Sequence, residues 1–157
     1  MYWHRPLSRL EIATCAVVLA VVLAFFLERL LYYMELAERT AMEVTVSHVN
    51  SGIAITLAHV ILGGDQAKQA EVLRQNPFQL AKMAPANFWG DANRPDLRTY
   101  ERGGWIFDTS RSELVYLPRL RRGLKTTEAE EALRFHLSGP VNGVFYRLVP
   151  ASKYTWD

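Results

Sequence analysis

Hydrophobic and polar positions are distributed unevenly along the chain. Ile12 to Leu27 reads IATCAVVLAVVLAFFL, sixteen residues without a charge or an amide. At ~1.5 Å per residue that run covers roughly 24 Å, slightly short of a ~30 Å hydrocarbon core. Leu7 and Leu10 extend it on one side, and Leu30, Leu31 and Met34 on the other. Trp3 at one end and Tyr32 with Tyr33 at the other suit the two membrane interfaces, where amphipathic rings collect. Glu28 and Arg29 can snorkel or pair near that boundary. The pattern predicts a cytoplasmic tail over residues 1–9 and a transmembrane helix over 10–34. A cleaved signal peptide is the second reading, since Val22-Leu23-Ala24 offers small residues at suitable spacing. Against it, FFLERLLYYM after Ala24 continues an apolar helix. A buried core helix is a further alternative. A lipoprotein start at Cys15 fails because almost no apolar run precedes it.

Beyond the run the period stays helical. Leu30, Met34, Ala37 and Ala41 continue into Met42, Val46, Val49, Ile53, Leu57 and Val60, one apolar stripe displaced by a residue midway. Residues 35–64 therefore read as an amphipathic extension of the helix, ended by Gly63-Gly64. A short helix from Asp65 to about Gln75 follows, stopped by Asn76-Pro77. Residues 76–104 carry three prolines and no period, and read as an ordered loop pinned by Phe78, Leu80, Phe88 and Trp89. Alternation then takes over. Trp105-Ile106-Phe107 and Leu114-Val115-Tyr116-Leu117 flank one turn, and Leu133 to Leu137 and Val144 to Val149 flank another. The predicted fold is α+β: a long N-terminal helix packed on a roughly four-stranded antiparallel sheet, with a head over residues 65–157. The expected core is Ile53, Leu57 and Val60 on the helix against Trp105, Phe107, Val115, Phe135, Val144, Tyr146 and Leu148.

Composition removes several function classes. A net charge of +2 is too small to imply a polyanionic partner, so no nucleic acid is expected. The single cysteine, Cys15, excludes an intrachain disulfide. His4, His48, His59 and His136 are scattered, and His48 and His59 would stand ~16 Å apart on a helix, too far to share a metal. Asp91, Asn93 and Asp96 are oxygen donors in one loop and could ligate calcium, but turn-forming Asx residues explain them equally. Arg119, Arg121, Arg122 and Lys125 form the one basic cluster, a solvated connection or a contact for phosphates and acidic lipid heads. No nucleophile-and-base pair, phosphate loop or metal-spaced set appears, so neither catalysis, a cofactor nor a small-molecule substrate is expected. Glu11 abuts the apolar run, where a carboxylate is costly unless it is interfacial beside Arg9 or meets a cation.

The layout resembles type IV pilins and type II secretion pseudopilins. Leu7-Ser8-Arg9-Leu10-Glu11 lies where that family has its Phe-Thr-Leu-Ile-Glu type sequence, and NPFQL, APANFWGD and GGWIFDTSRSELVYLPR are similar to segments of minor pilin-like proteins, those of mannose-sensitive haemagglutinin pilus operons among them. The resemblance implies that Glu11, with Leu7 and Arg9, serves assembly with other pilin-like subunits or platform membrane proteins. It also implies a bacterial inner-membrane location with a periplasmic head. Pro6 stands where the family leader ends in glycine, so the expectation is a protein that keeps its N-terminus. Arg5, Arg9 and the N-terminal amine precede the run and Arg29 and Arg39 follow it, a thin margin under the positive-inside rule. The expected cytoplasmic N-terminus therefore rests on a six- to eleven-residue tail being too small for an outside domain. Two functional classes follow: a non-catalytic accessory component of a type IV pilus or type II secretion machine, or a bitopic scaffold unrelated to filaments that recruits partners through its head.

Overall fold

The computed structural model describes residues 8–62, 71–127, 132–141 and 145–156, and of residues 59–62, 140, 141 and 145 the backbone alone. It divides into two units, Met1–Leu36 and Ala37–Asp157. Helix α1, Arg9–Leu62, runs through the boundary and continues past Ala24 and Phe25 without a break.

In the first unit α1 begins with a reciprocal cap. Ser8 Oγ accepts from Glu11 N at 3.2 Å and Glu11 Oε2 accepts from Ser8 N at 2.7 Å. Two of the donors that a helix start leaves unpaired are thereby satisfied. The apolar side chains that follow are not covered by the chain's own core: Leu10 is 78% exposed and Phe26 72%. Among the described residues this is one helix long and apolar enough to cross a membrane, with a mean hydropathy of 2.6 over its most apolar window. The Arg29 guanidinium lies over the Phe25 ring, 5.3 Å from its centroid.

In the second unit the rest of α1 buries Met42, Val49, Ile53 and Leu57, a stripe at helical spacing. A short turn of helix, α2 (Pro77–Leu80), is capped by Asn76, whose Oδ1 accepts from Phe78 N. Ala81, just after it, presses on α1 at Gly52, where a Cβ would stand 2.8 Å from both the Ala81 Cβ and its carbonyl oxygen. The strands are β1 (Phe88–Ala92), β2 (Gly104–Asp108), β3 (Glu113–Leu117), β4 (Leu124–Thr126), β5 (Leu133–Val141), β6 (Phe145–Pro150) and β7 (Tyr154–Trp156). A 3-10 turn, Leu97–Thr99, lies between β1 and β2.

Both expected hairpins form, β2 with β3 and β5 with β6. The sheet is otherwise a correction to the four antiparallel strands expected. Five strands are ordered β1-β2-β3-β5-β6, and β4 pairs with β7 in a separate two-stranded sheet. The β1–β2 pair is parallel and changes register between Phe88 and Asp91, so the large sheet is mixed. No apolar–polar alternation in Phe88-Trp89-Gly90-Asp91-Ala92 announces β1, although its burial alternates, and the pairing changes register within it. The stretch expected to be a loop thus holds a helical turn, a strand and a 3-10 turn.

One face of the sheet meets α1. Trp105, Phe107, Leu114, Tyr116, Leu133, Phe135, Leu137, Tyr146 and Leu148 form one core with the α1 stripe and Phe78. Trp105 is its centre, with ring centroids at 4.7 Å from Tyr116 and 5.8 Å from both Phe78 and Phe135. Val115 is buried on the other face, with Leu97, Ile106, Leu117 and Ala132, which corrects its expected place against the helix. The register gives the reason: Val115 stands opposite Ile106, whereas Leu114 and Tyr116 stand opposite Phe107 and Trp105. Val144 and Leu7 lie outside the described residues, as do the side chain of Val60, the glycine stop and the expected helix start at Asp65. The outer edge of β6 is blunted, since Asn50 Oδ1 on α1 accepts from Leu148 N at 2.7 Å and Pro150 has no amide hydrogen.

Candidate functional site

The structure gives Glu11 a local task. Its carboxylate caps α1 through Ser8, and Arg9 makes no hydrogen bond or ion pair with it among the described residues. Ser8-Arg9-Leu10-Glu11 is a Ser-x-x-Glu capping signature, readable from sequence as a helix start. Cys15 is exposed on the same apolar segment.

A second carboxylate, Glu38 on α1, organises one end of the head. Glu38 Oε1 accepts from Tyr116 Oη at 2.9 Å and from Arg119 N at 2.7 Å, and Oε2 accepts from Leu120 N at 3.0 Å. The connection after β3 is thereby fastened to the helix. Burial, then the Glu38 charge and its hydrogen bond, hold the Tyr116 phenol well above its ordinary pKa of 10.0. The Arg119 side chain crosses Gly103, where it occupies the place of a Cβ, and its Nε donates to the Arg102 carbonyl at 2.9 Å. Arg102 Nη1 in turn reaches the Pro118 carbonyl at 3.4 Å. The indole of Trp89 lies over Gly104 beside them. Nothing in the local period of Glu38 or Trp89 predicts these partners, which come from β2, β3 and the connection after β3.

At the opposite end of the β2–β3 hairpin, Asp108 gathers two loops. Its Oδ1 accepts from Ser110 N at 3.0 Å and Ser110 Oγ at 2.6 Å. Burial pushes the carboxyl up, but these bonds and the amides of Arg94 and Arg111 outweigh it and set the pKa below the usual value. Arg134 Nη1 lies 3.3 Å from Glu113 and 3.8 Å from Asp108. Asp108, Ser110 and Arg134 line, with Arg94, Pro95 and Arg111, a polar cavity of about 530 Å³. A carboxylate held ionised and saturated with donors is a poor general acid, and it ties Arg94 and Arg111 together through their backbones.

Two of the three side chains considered for calcium use their oxygens internally. Asp91 accepts from Asn76 Nδ2 at 2.5 Å and Gln79 Nε2 at 3.3 Å, and Asp96 caps the 3-10 turn by accepting from Arg98 N at 3.1 Å. Among the described residues no three His, Cys, Asp or Glu side chains converge to hold a metal. His48 and His136 are exposed on different elements.

Comparison with protein-family models, with curated proteins and with solved structures returned no match to this chain.

Proposed function

We propose that the chain is a non-catalytic, pilin-like accessory component of a type IV pilus or type II secretion machine. It is anchored in a bacterial inner membrane by residues 10–34, with its N-terminus in the cytoplasm and its head in the periplasm. One observation carries this: α1 changes character along its length. It is apolar and exposed from Leu10 to Met34, and then buries Met42, Val49, Ile53 and Leu57 against a largely antiparallel sheet. An element of that kind presents a helix to lipid and neighbouring helices and a folded head to water. The polar groups that converge in the head fasten loops to each other, which suits binding.

The bitopic scaffold is the second reading, and the Ser8–Glu11 cap favours it, because it occupies the carboxylate that would otherwise meet a subunit's amine. The two separate at Glu11. Gln retains the capping geometry and loses the charge, whereas Ala loses both. A photocrosslinker placed at Leu10 in the full chain, in membranes containing the machine, should give adducts with pilin-type or platform subunits. Under the pilin reading, Glu11→Gln loses these adducts with helix content unchanged. Adducts retained in Glu11→Gln and weakened only in Glu11→Ala would make Glu11 a cap, and adducts to unrelated membrane proteins would favour the scaffold.

A further inference from the structure

The end of the head held by Glu38 is built to meet a surface rather than open water. Arg102 and Arg119 give their guanidinium hydrogen bonds to neutral carbonyls, and the Glu38 carboxylate is taken by a phenol and two backbone amides. Arg122, three residues after Arg119 in the chain, is exposed. None of these three guanidiniums is in an ion pair with a carboxylate among the described residues. Beside them stands the indole of Trp89, 47% exposed although its ring is large and apolar. Arginines with an amphipathic indole are the combination that membrane interfaces collect: phosphates take the charge and the headgroup layer takes the ring.

We propose that this patch, Trp89 with Arg102, Arg119 and Arg122, rests on anionic lipid headgroups as a second, peripheral membrane contact. The inference rests on the anchored reading above. Its location follows from connectivity alone. Glu38 comes four residues after Met34, the last residue of the proposed membrane-spanning segment 10–34, a separation of at most about 14 Å even for extended chain. The headgroup layer is about 5–8 Å thick on each side of the hydrocarbon. Whatever angle the two units make, the turn fastened to Glu38 cannot stand far from that layer. A soluble polyanion would need no such tether, whereas a bilayer is already present at that distance.

The test uses the full chain in liposomes of phosphatidylcholine, with or without phosphatidylglycerol, containing lipids brominated near the headgroup. The tryptophan emission of wild type minus that of Trp89→Phe isolates Trp89. It should be quenched in the phosphatidylglycerol vesicles and recover when salt rises from about 0.1 M to about 1 M, as the Debye length falls from ~10 to ~3 Å. Arg119→Gln and Arg122→Gln should each lower the ratio of docked to undocked heads about fivefold, the equivalent of ~1 kcal/mol per basic residue near the surface. Trp89 unquenched in protein that resists an alkaline wash would overturn the patch and leave the anchor standing. Equal quenching with and without phosphatidylglycerol would show that the arginines do not select anionic lipid, and would overturn it too. Protein released by the wash would overturn both readings.

Discussion

Two tyrosines in one core carry hydroxyls with opposite fates. Tyr116 and Tyr146 are 4% and 2% exposed, but Tyr116 Oη donates to Glu38 while Tyr146 Oη is buried without a partner among the described residues. A hydrogen bond to a charged acceptor contributes about 1.5–3 kcal/mol, and a buried unsatisfied hydroxyl costs about 1–3 kcal/mol. Tyr116→Phe is therefore expected to lower the melting temperature near neutral pH, and Tyr146→Phe to leave it unchanged or raise it. Melts of the full chain in detergent, followed by near-ultraviolet circular dichroism, measure both. Alkali adds a second readout. Burial raises both phenols above the ordinary value, with Glu38 adding to the rise at Tyr116. Above pH ~10 the unfolded chain releases these protons while the folded state keeps them, so stability present below that pH falls as pH climbs towards the folded pKa. Tyr116→Phe should make that alkaline fall shallower, and an unchanged slope would separate Tyr116 from it.

At the scale of elements, local preference and tertiary contact disagree at Gly52. Helix propensity favours Ala over Gly by about 1 kcal/mol in a helix interior. The Ala81 backbone 2.8 Å from the missing Cβ reverses that, since overpacking costs about 1–3 kcal/mol. Gly52→Ala is expected to destabilise the head while Ser51→Ala, on an exposed neighbour, does not; a higher melting temperature for Gly52→Ala would show that the contact gives way. Trp105→Ala, at the meeting point of three rings, should cost about 3–5 kcal/mol. The hairpins were legible because residues 105–107, 114–117 and 133–137 alternate on a half-buried pleat. The side chosen by Val115 was not, because both faces of β3 are covered and apolar residues occupy Leu114 to Leu117 without interruption. The parallel pairing of β1 is equally hidden, since a five-residue strand with an irregular register leaves no period to read.

For the whole molecule the anchored reading predicts retention and sidedness. After an alkaline wash the full chain should stay in the membrane pellet. Alkaline phosphatase joined after Trp156 should be active, and a cytoplasmic reporter at the same place inactive. The opposite pattern would reverse the topology, and release by the wash would remove the anchor. Neither result depends on Glu11, so membrane residence can be established separately from the identity of the machine.

What the amino-acid order determined alone is what repeats locally: the apolar run, the α1 stripe, the Ser8–Glu11 cap and the two hairpins. Each is written within a few residues, because burial on one side of a helix or strand imposes its own period on the chain. The tertiary structure decided what depends on partners. Glu38 bonds Tyr116, Arg119 and Leu120 across 78, 81 and 82 residues. Trp89 remains half exposed because it settles over Gly104 at the same end of the sheet. Hydrogen-bond partners and shared surfaces come from the closure of the sheet upon the helix, and only that closure brings Arg102 and Arg119 together beside Glu38.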